Sequence, residues 1–134
     1  MAETIVVNGP QVKSQQAGAP NYLKFTFLGD DTDAHDAEDI QGRGKGRFTV
    51  AVDNPTDTNL PITVYGANIS GASVGDADVK LIGTFTVTAA NAANDGYECY
   101  NDPFPYYIVR AKFSGAPTDA VKKNVTVYIN FSAF

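Results

Sequence analysis

An acidic run between Asp30 and Asp39 is the first stretch of the sequence whose residue types could do chemistry. Carboxylates at this density can supply the oxygen ligands that a calcium ion requires. Asp31 and Asp33 have the spacing of the first two ligands of an EF-hand loop, but His35 stands where the third belongs, and the loop's glycine and final glutamate are missing. We therefore expect a solvated acidic loop without a bound metal, and the candidates for a cation site are Asp30, Asp31 and Asp33.

The segment from Gln41 to Arg47 follows directly and is rich in glycine and basic residues. Backbone amides in such a segment could hold a phosphate group. A P-loop, however, needs a Gly-Lys pair followed by Ser or Thr at the start of a helix, whereas this segment leads into a strand pattern. Acidic and basic runs side by side favour a long, charge-complementary loop, which we predict at about residues 29–47.

Serine and cysteine side chains are the potential nucleophiles of the sequence. Ser73 lies in a G-x-S-x-G sequence, but a nucleophile elbow needs a strand-to-helix turn and a later histidine, and the single histidine, His35, comes earlier. The single cysteine, Cys99, cannot form an intrachain disulfide and has no recognisable activating neighbour. No pair of residues has the spacing of an acid-base or nucleophilic site, so we expect a protein that is not an enzyme and needs no cofactor.

Aromatic residues cluster between Tyr97 and Tyr107, where they alternate with prolines and acids. Such a cluster could stack sugar rings on a face made of Tyr97, Tyr100 and Tyr106. The chain has no tryptophan, and Tyr107 is in phase with a core-facing pattern. Packing at the end of a domain, or a protein interface, is therefore the favoured interpretation.

Period-two alternation of apolar and polar residues indicates the elements that must position these side chains. The longest run extends from Val79 to Val87, and its odd-numbered residues, including Leu81, are expected to face the core. Turn-forming residues separate the runs, and no amphipathic helix is evident, which predicts an all-β, antiparallel β-sandwich of the jelly-roll kind with about eight strands. The predicted strands are Thr4–Val7, Leu23–Phe27, Phe48–Val52, Ile62–Val64, Val79–Val87, Tyr97–Tyr100, Tyr107–Phe113 and Val125–Phe131.

The length of 134 residues fits one domain, which we predict at residues 1–134 with an N-terminal arm at about residues 1–20. Ten basic against fifteen acidic residues give a net charge of -5, which disfavours nucleic acid and anionic membranes as partners. The N-terminal residues lack the positive charge and long apolar run of a secretory signal, and no segment approaches the ~20 apolar residues of a membrane span. We expect synthesis in the cytoplasm of a host cell.

Two stretches, Asn101–Gly115 and Asn124–Phe131, resemble the closing strands of small jelly-roll cement, or decoration, proteins of tailed bacteriophage heads. The shared features are an N-x-P-F-P-Y entry to a strand, a polar loop, and a final V-x-V-x-I strand. The resemblance implies a virion protein on the capsid exterior, commonly a homotrimer, that clamps neighbouring major capsid subunits. It implies no catalytic residues.

In such a role we expect three contact regions: the N-terminal arm from Val7 to Pro20, the charged loop, and the apolar C-terminal end. The candidate interface residues are Val7, Pro10, Asp36, Arg43, Lys45, Arg47, Tyr97, Tyr100, Phe104, Phe131 and Phe134. Two other functions remain open. One is a jelly-roll carbohydrate-binding or adhesin-like module that uses the tyrosine cluster, and the other is a small capsid or tail structural subunit.

Overall fold

The computed structural model describes residues 6–8, 21–42 and 46–131, and these residues form nine β-strands. The strands are β1 (Val6–Asn8), β2 (Asn21–Gly29), β3 (His35–Gln41), β4 (Arg47–Asp53), β5 (Leu60–Ala67), β6 (Val79–Val87), β7 (Tyr97–Asn101), β8 (Tyr106–Ala111) and β9 (Lys123–Phe131). One 3-10 turn at Ala89–Asn91 is the single helical element of the described ranges, where no helix is long and apolar enough to cross a membrane.

The strands lie in two antiparallel sheets, with the order β1-β2-β9-β4-β7 in one and β3-β8-β5-β6 in the other. The pairs are nested, since β2 pairs with β9, β3 with β8, β4 with β7, and β5 with β6. Pairing of β4 with β9 and of β5 with β8 then folds this long ribbon into two sheets. The order is that of a jelly roll with β1 added at one edge, which confirms the predicted fold class.

The inner faces of both sheets carry the apolar side chains that alternation predicts. Strand β4, for example, turns Phe48, Val50 and Val52 inward. Burying an aliphatic or aromatic side chain of this size stabilises a fold by roughly 1.5–3 kcal/mol. The largest fully buried side chains of the core are Phe25, Ile40, Phe48, Val50, Leu60, Ile62, Val64, Val87, Tyr107, Phe113 and Ile129.

The prediction of a loop at residues 29–47 is wrong in part, because His35–Gln41 form strand β3. β3 contains a bulge between Ala37 and Ile40, where Asp39 has a φ of 58°. The inward-facing residues Ala37 and Ile40 are therefore three positions apart in the sequence, and the period-two pattern is lost. The acidic residue Asp36 is tolerated because Arg110 on β8 donates two hydrogen bonds to its carboxylate, at 2.7 and 2.8 Å. These hydrogen bonds raise the pKa of Arg110. Asp36, which is among the predicted interface residues, is 5% exposed.

The predicted inward orientation of Leu81 on β6 is wrong. Val64 on β5 pairs with Gly83, but the next residue, Tyr65, pairs with Leu81, so Ile82 is an extra residue on β6. This bulge reverses the phase of the strand. Ile82 packs against the core, and Leu81 is 63% exposed on the outer face.

Candidate functional site

The jelly-roll connectivity sorts the loops onto two ends of the sandwich. Loops 30–34, 54–59, 88–96 and 112–122 lie at one end, which we call the network end. Loops 42–46, 68–78 and 102–105 lie at the other, which we call the aromatic end, as do the start of β2 and the end of β9. The two ends differ in chemistry.

The network end is held together by Asn54, whose side chain is fully buried. Its Nδ2 donates to the backbone carbonyls of Thr58, Val87 and Thr88 at 3.0, 3.4 and 3.3 Å. Its Oδ1 accepts hydrogen bonds from the backbone N–H of Thr56 at 3.2 Å and from the hydroxyl of Thr56 at 2.7 Å. One amide group therefore joins the loops that follow β4 and β6.

Asp57 extends this network to the loop before β9. Its carboxylate accepts hydrogen bonds from the hydroxyl and the backbone N–H of Thr118 and from the hydroxyl of Thr58. These bonds, those from Thr118 first, lower the pKa of Asp57 to about 2. Since these polar groups bind one another, we interpret the network end as structural.

The aromatic end contains a cluster of rings centred on Phe48. The centroid of the Phe48 ring lies 4.5 Å from the ring centroid of Tyr107, 5.4 Å from that of Tyr100 and 5.7 Å from that of Phe131. Phe48 pairs with Tyr100 on one side and with Phe131 on the other, so these three residues form one row on the inner face of the five-stranded sheet. Tyr100 and Phe131, predicted as interface residues, are thus half-buried parts of the core.

Three glycines allow the loop 102–105 to pack closely against this cluster. A Cβ atom at Gly66 would lie 2.2 Å from the ring of Phe104, one at Gly46 would lie 2.8 Å from Pro103, and one at Gly42 would lie 2.5 Å from the Phe104 carbonyl. The N–H of Gly42 also donates to the Pro105 carbonyl at 3.0 Å. In the segment 41–47, Gly42 and Gly46 are therefore explained by close packing, and Phe104 is half-buried.

Of the remaining interface candidates, Arg47 lies at the aromatic end. Arg47 is exposed at the start of β4, opposite Asn101. Val7 lies on β1, but its side chain is outside the described residues. Also outside them are Pro10, Arg43, Lys45 and Phe134.

The tyrosine platform predicted for sugar binding is not assembled. Tyr97 is 62% exposed on the outer face of the five-stranded sheet. Tyr100, three residues along β7, points to the inner face, and Tyr106 belongs to β8 in the other sheet. The three rings therefore do not share a surface.

The acidic candidates lie at the network end, in the loop before β3. Asp31 Oδ1 accepts a hydrogen bond from the backbone N–H of Asp33 at 3.1 Å and lies 3.2 Å from His35 Nε2. Asp30 is exposed. Among the described residues, no three His, Cys, Asp or Glu side chains are grouped as a metal site requires.

Replacing Tyr100 and Tyr107 by phenylalanine is expected to have opposite effects on stability. Among the described residues, no group binds the buried hydroxyl of Tyr100, and burial raises its pKa to about 12. The Tyr107 hydroxyl instead donates to the Asp102 carbonyl at 2.6 Å and accepts from the Phe104 N–H at 3.0 Å. We expect Tyr100→Phe to raise the free energy of unfolding by about 1 kcal/mol and Tyr107→Phe to lower it by about 1–3 kcal/mol, measured by urea denaturation. A change of the same sign in both variants would contradict this assignment.

Comparison with known proteins identifies the fold but no family. No protein-family model and no curated protein matches the sequence. A mitogen derived from Yersinia pseudotuberculosis has a TM-score of 0.55 at 12% identity, over 86% of this chain and 89% of that one. PliG of Aeromonas hydrophila, a periplasmic inhibitor of g-type lysozyme, has a TM-score of 0.50 at 15% identity, over 89% and 92%. The SPBc2 prophage-derived protein YomS is more distant, with a TM-score of 0.45 at 18% identity over 83% and 95%. At these identities the likeness indicates a shared β-sandwich fold alone.

Proposed function

We propose that this chain is a non-enzymatic structural protein of a virion, which binds the outer surface of a tailed-phage capsid and cements neighbouring major capsid subunits as a homotrimer. The supporting observation is the convergence at the aromatic end. The start of β2, the Gln41–Arg47 part of the charged region and the end of β9 lie at that end, whereas the acidic residues 30–34 lie at the network end.

The strand register brings these regions together. Asn21, the first residue of β2 after the N-terminal arm, pairs with Phe131 near the C-terminus. Phe131 pairs in turn with Phe48, and Arg47 beside Phe48 is the last residue of the basic glycine-rich segment. Regions that are far apart in the sequence can therefore contact one partner at the same time.

The resemblance to decoration proteins fits the same arrangement. The stretch Asn101–Gly115 contains the entry to β8 and β8 itself, and Asn124–Phe131 lies within β9. These are the last two strands of the jelly roll, the positions that the resemblance implies. The carbohydrate-module alternative would need a binding face other than Tyr97, Tyr100 and Tyr106 together, because these three residues do not share a surface.

The mechanism would be thermodynamic linkage. A protein that binds the assembled shell, and not its free subunits, lowers the free energy of the shell by RT ln(1 + [L]/Kd) at every site. Because a shell repeats the site many times, modest contacts at each copy add up. The network end, whose polar groups are satisfied internally, would face the solvent.

The proposal predicts that Arg47→Glu weakens capsid binding at least about tenfold, because charge reversal at a contact surface creates like-charge repulsion or removes an attraction. The test is light scattering of the purified chain, followed by co-sedimentation with expanded phage heads that lack it. Lys112→Glu is the matched control, since it makes the same charge change on an exposed residue of the network end.

Trimers that co-sediment at a saturable ratio would support the proposal. A monomer that never co-sediments with a capsid would overturn it, as would assembly of the chain into shells or tails on its own. Equal binding by both charge-reversal variants would show that attachment does not use the aromatic end.

A further inference from the structure

Strand β7 is an open edge of the five-stranded sheet. It pairs with β4 over five consecutive residue pairs without a shift in register, and among the described residues no strand pairs with its other side. The edge strands of the four-stranded sheet, β3 and β6, each contain a bulge, which hinders pairing with a further strand. The remaining edge strand, β1, has three residues. The β7 edge, which we define as the side of β7 that faces away from β4, is therefore the regular one.

Every second peptide group of β7 points to this edge. Opposite residues of an antiparallel pair alternate between those that bond each other and those whose N–H and C=O groups point away. Val52 N–H donates to the Gly96 carbonyl at 2.6 Å, so the position one step before Tyr97 in the register is a hydrogen-bonded pair. The N–H and C=O groups of Tyr97, Cys99 and Asn101 therefore point away from β4.

The central N–H group of the β7 edge is bound by a side chain. Glu98 Oε1 accepts a hydrogen bond from Cys99 N–H at 3.3 Å, in the direction from which the carbonyl of an added strand would bind. This bond is longer than usual and both residues are exposed, so a peptide carbonyl can replace the carboxylate. The released carboxylate of Glu98, with the exposed Asp102 just after the strand, favours a lysine or arginine on the added segment.

We propose that the β7 edge binds an extended segment of the capsid subunit as an added strand, with a lysine or arginine of that segment facing Glu98. The inference rests on the proposed capsid attachment and names the element that receives the partner. In strand addition, backbone hydrogen bonds supply affinity and side-chain contacts supply specificity. β7 ends at Asn101, at the aromatic end, so the added strand continues the proposed contact surface. Arg47 lies on β4, on the other side of β7 from the added strand.

A second copy of the chain fits the β7 edge less well. Isologous pairing of two β7 strands would bring together two copies of Glu98 and two copies of Asp102. Like charges on paired strands are destabilising. A partner segment that carries a positive charge avoids this repulsion.

The first test is co-sedimentation of two Cys99 variants with expanded phage heads that lack the chain. Cys99→Pro removes the outward N–H group and places the proline ring in the path of the added strand, but it leaves the hydrogen bonds between β7 and β4 in place. We expect it to weaken capsid binding at least about tenfold. Cys99→Ser is the matched control, because it keeps the N–H group and the size of the side chain, and it should bind within about threefold of wild type.

A charge reversal tests the chemistry of the partner segment. Glu98→Lys should also weaken capsid binding at least about tenfold, because a lysine would face the positive charge of the added strand. Asp53→Lys makes the same charge change on an exposed residue at the network end and should leave binding unchanged. Equal binding by these two variants would overturn the assignment of a basic segment.

Hydrogen exchange of the wild-type chain tests the β7 edge without any substitution. On the heads, exchange should slow at residues 97–101 and stay unchanged at residues 112–122 of the network end. Unchanged exchange at residues 97–101 in the bound chain would overturn strand addition, as would equal binding by Cys99→Pro and Cys99→Ser, and in either case capsid attachment itself would stand. A wild-type chain that does not co-sediment would instead overturn capsid attachment, and with it the partner named here.

Discussion

Replacement of Asn54 by alanine is expected to lower the free energy of unfolding by about 3–4 kcal/mol, near the upper end for a single substitution. The reason is that the fully buried Asn54 side chain makes hydrogen bonds to three carbonyls and accepts two from Thr56. Alanine would leave these partners buried without a replacement. Urea denaturation followed by circular dichroism measures the loss, which should lower Tm by roughly 10–15 °C.

Asn54→Asp sharpens this prediction because it preserves the shape of the side chain but replaces the donating amide group with an ionisable oxygen. An ionised carboxylate would face the carbonyl oxygens of Thr58, Val87 and Thr88 with no proton to donate. We expect a loss at pH 8 at least as large as for alanine, and a smaller loss near pH 4, where the acid can be protonated. Asn59→Ala is the control. Asn59 is exposed and accepts one hydrogen bond, from Ala89 N–H at 2.9 Å, so its loss should stay near 1 kcal/mol or below. Equal losses at Asn54 and Asn59 would contradict the role of Asn54.

Alternation predicts strands reliably where one face is purely apolar and the pairing is regular. β4 and β9 meet both conditions, and Val50, Val52, Val125 and Val127, which alternation places on one face of these strands, are buried. All eight predicted strands correspond to strands of the structure, although Thr4 and Ile5 of the first lie outside the described residues. The physical reason is local, since successive side chains on a strand must point to opposite faces.

Bulges explain where alternation fails. In β3 the bulge at Asp39 removes the alternating pattern, so the sequence does not predict the strand. In β6 the extra residue Ile82 reverses which side chains face the core. A bulge is defined by its partner strand, which a sequence pattern does not contain. The charge of Asp36 adds to the difficulty, because its compensation by Arg110 depends on a contact between residues that are 74 positions apart.

The same limitation applies to the candidate site. The sequence Asp53-Asn54-Pro55 indicates a turn, but nothing local shows that Asn54 binds the carbonyls that end β6. The aromatic cluster could be recognised from composition, but its division between faces follows from the three-residue spacing of Tyr97 and Tyr100 on β7. The proximity of the starts of β2 and β4 to the end of β9 is a property of strand order, which alternation does not encode.

Gly66→Ala is expected to lower the free energy of unfolding by about 3 kcal/mol, because the added methyl group would occupy the position of the Phe104 ring. Gly66 is buried and pairs with Tyr107, so the strand cannot move away without breaking a central ladder of the sheet. Phe104 must leave instead, and the loop 102–105 would lose the hydrogen bond from Phe104 N–H to Tyr107. Urea denaturation measures the loss of stability.

A double-mutant cycle with Phe104→Ala tests the cause. If the clash with the ring dominates, the double variant should be less destabilised than the sum of the single variants, by a coupling of about 1–3 kcal/mol. Gly115→Ala is the matched control, because a Cβ atom there has no neighbour within 4 Å, and it should change stability by less than about 0.5 kcal/mol. Additive losses of stability in the Gly66 and Phe104 variants would show that the glycine is required for a reason other than leaving room for the Phe104 ring. The coupled result would mean that Phe104, predicted from the sequence as a contact residue, serves chiefly to fix the loop that shapes the aromatic end.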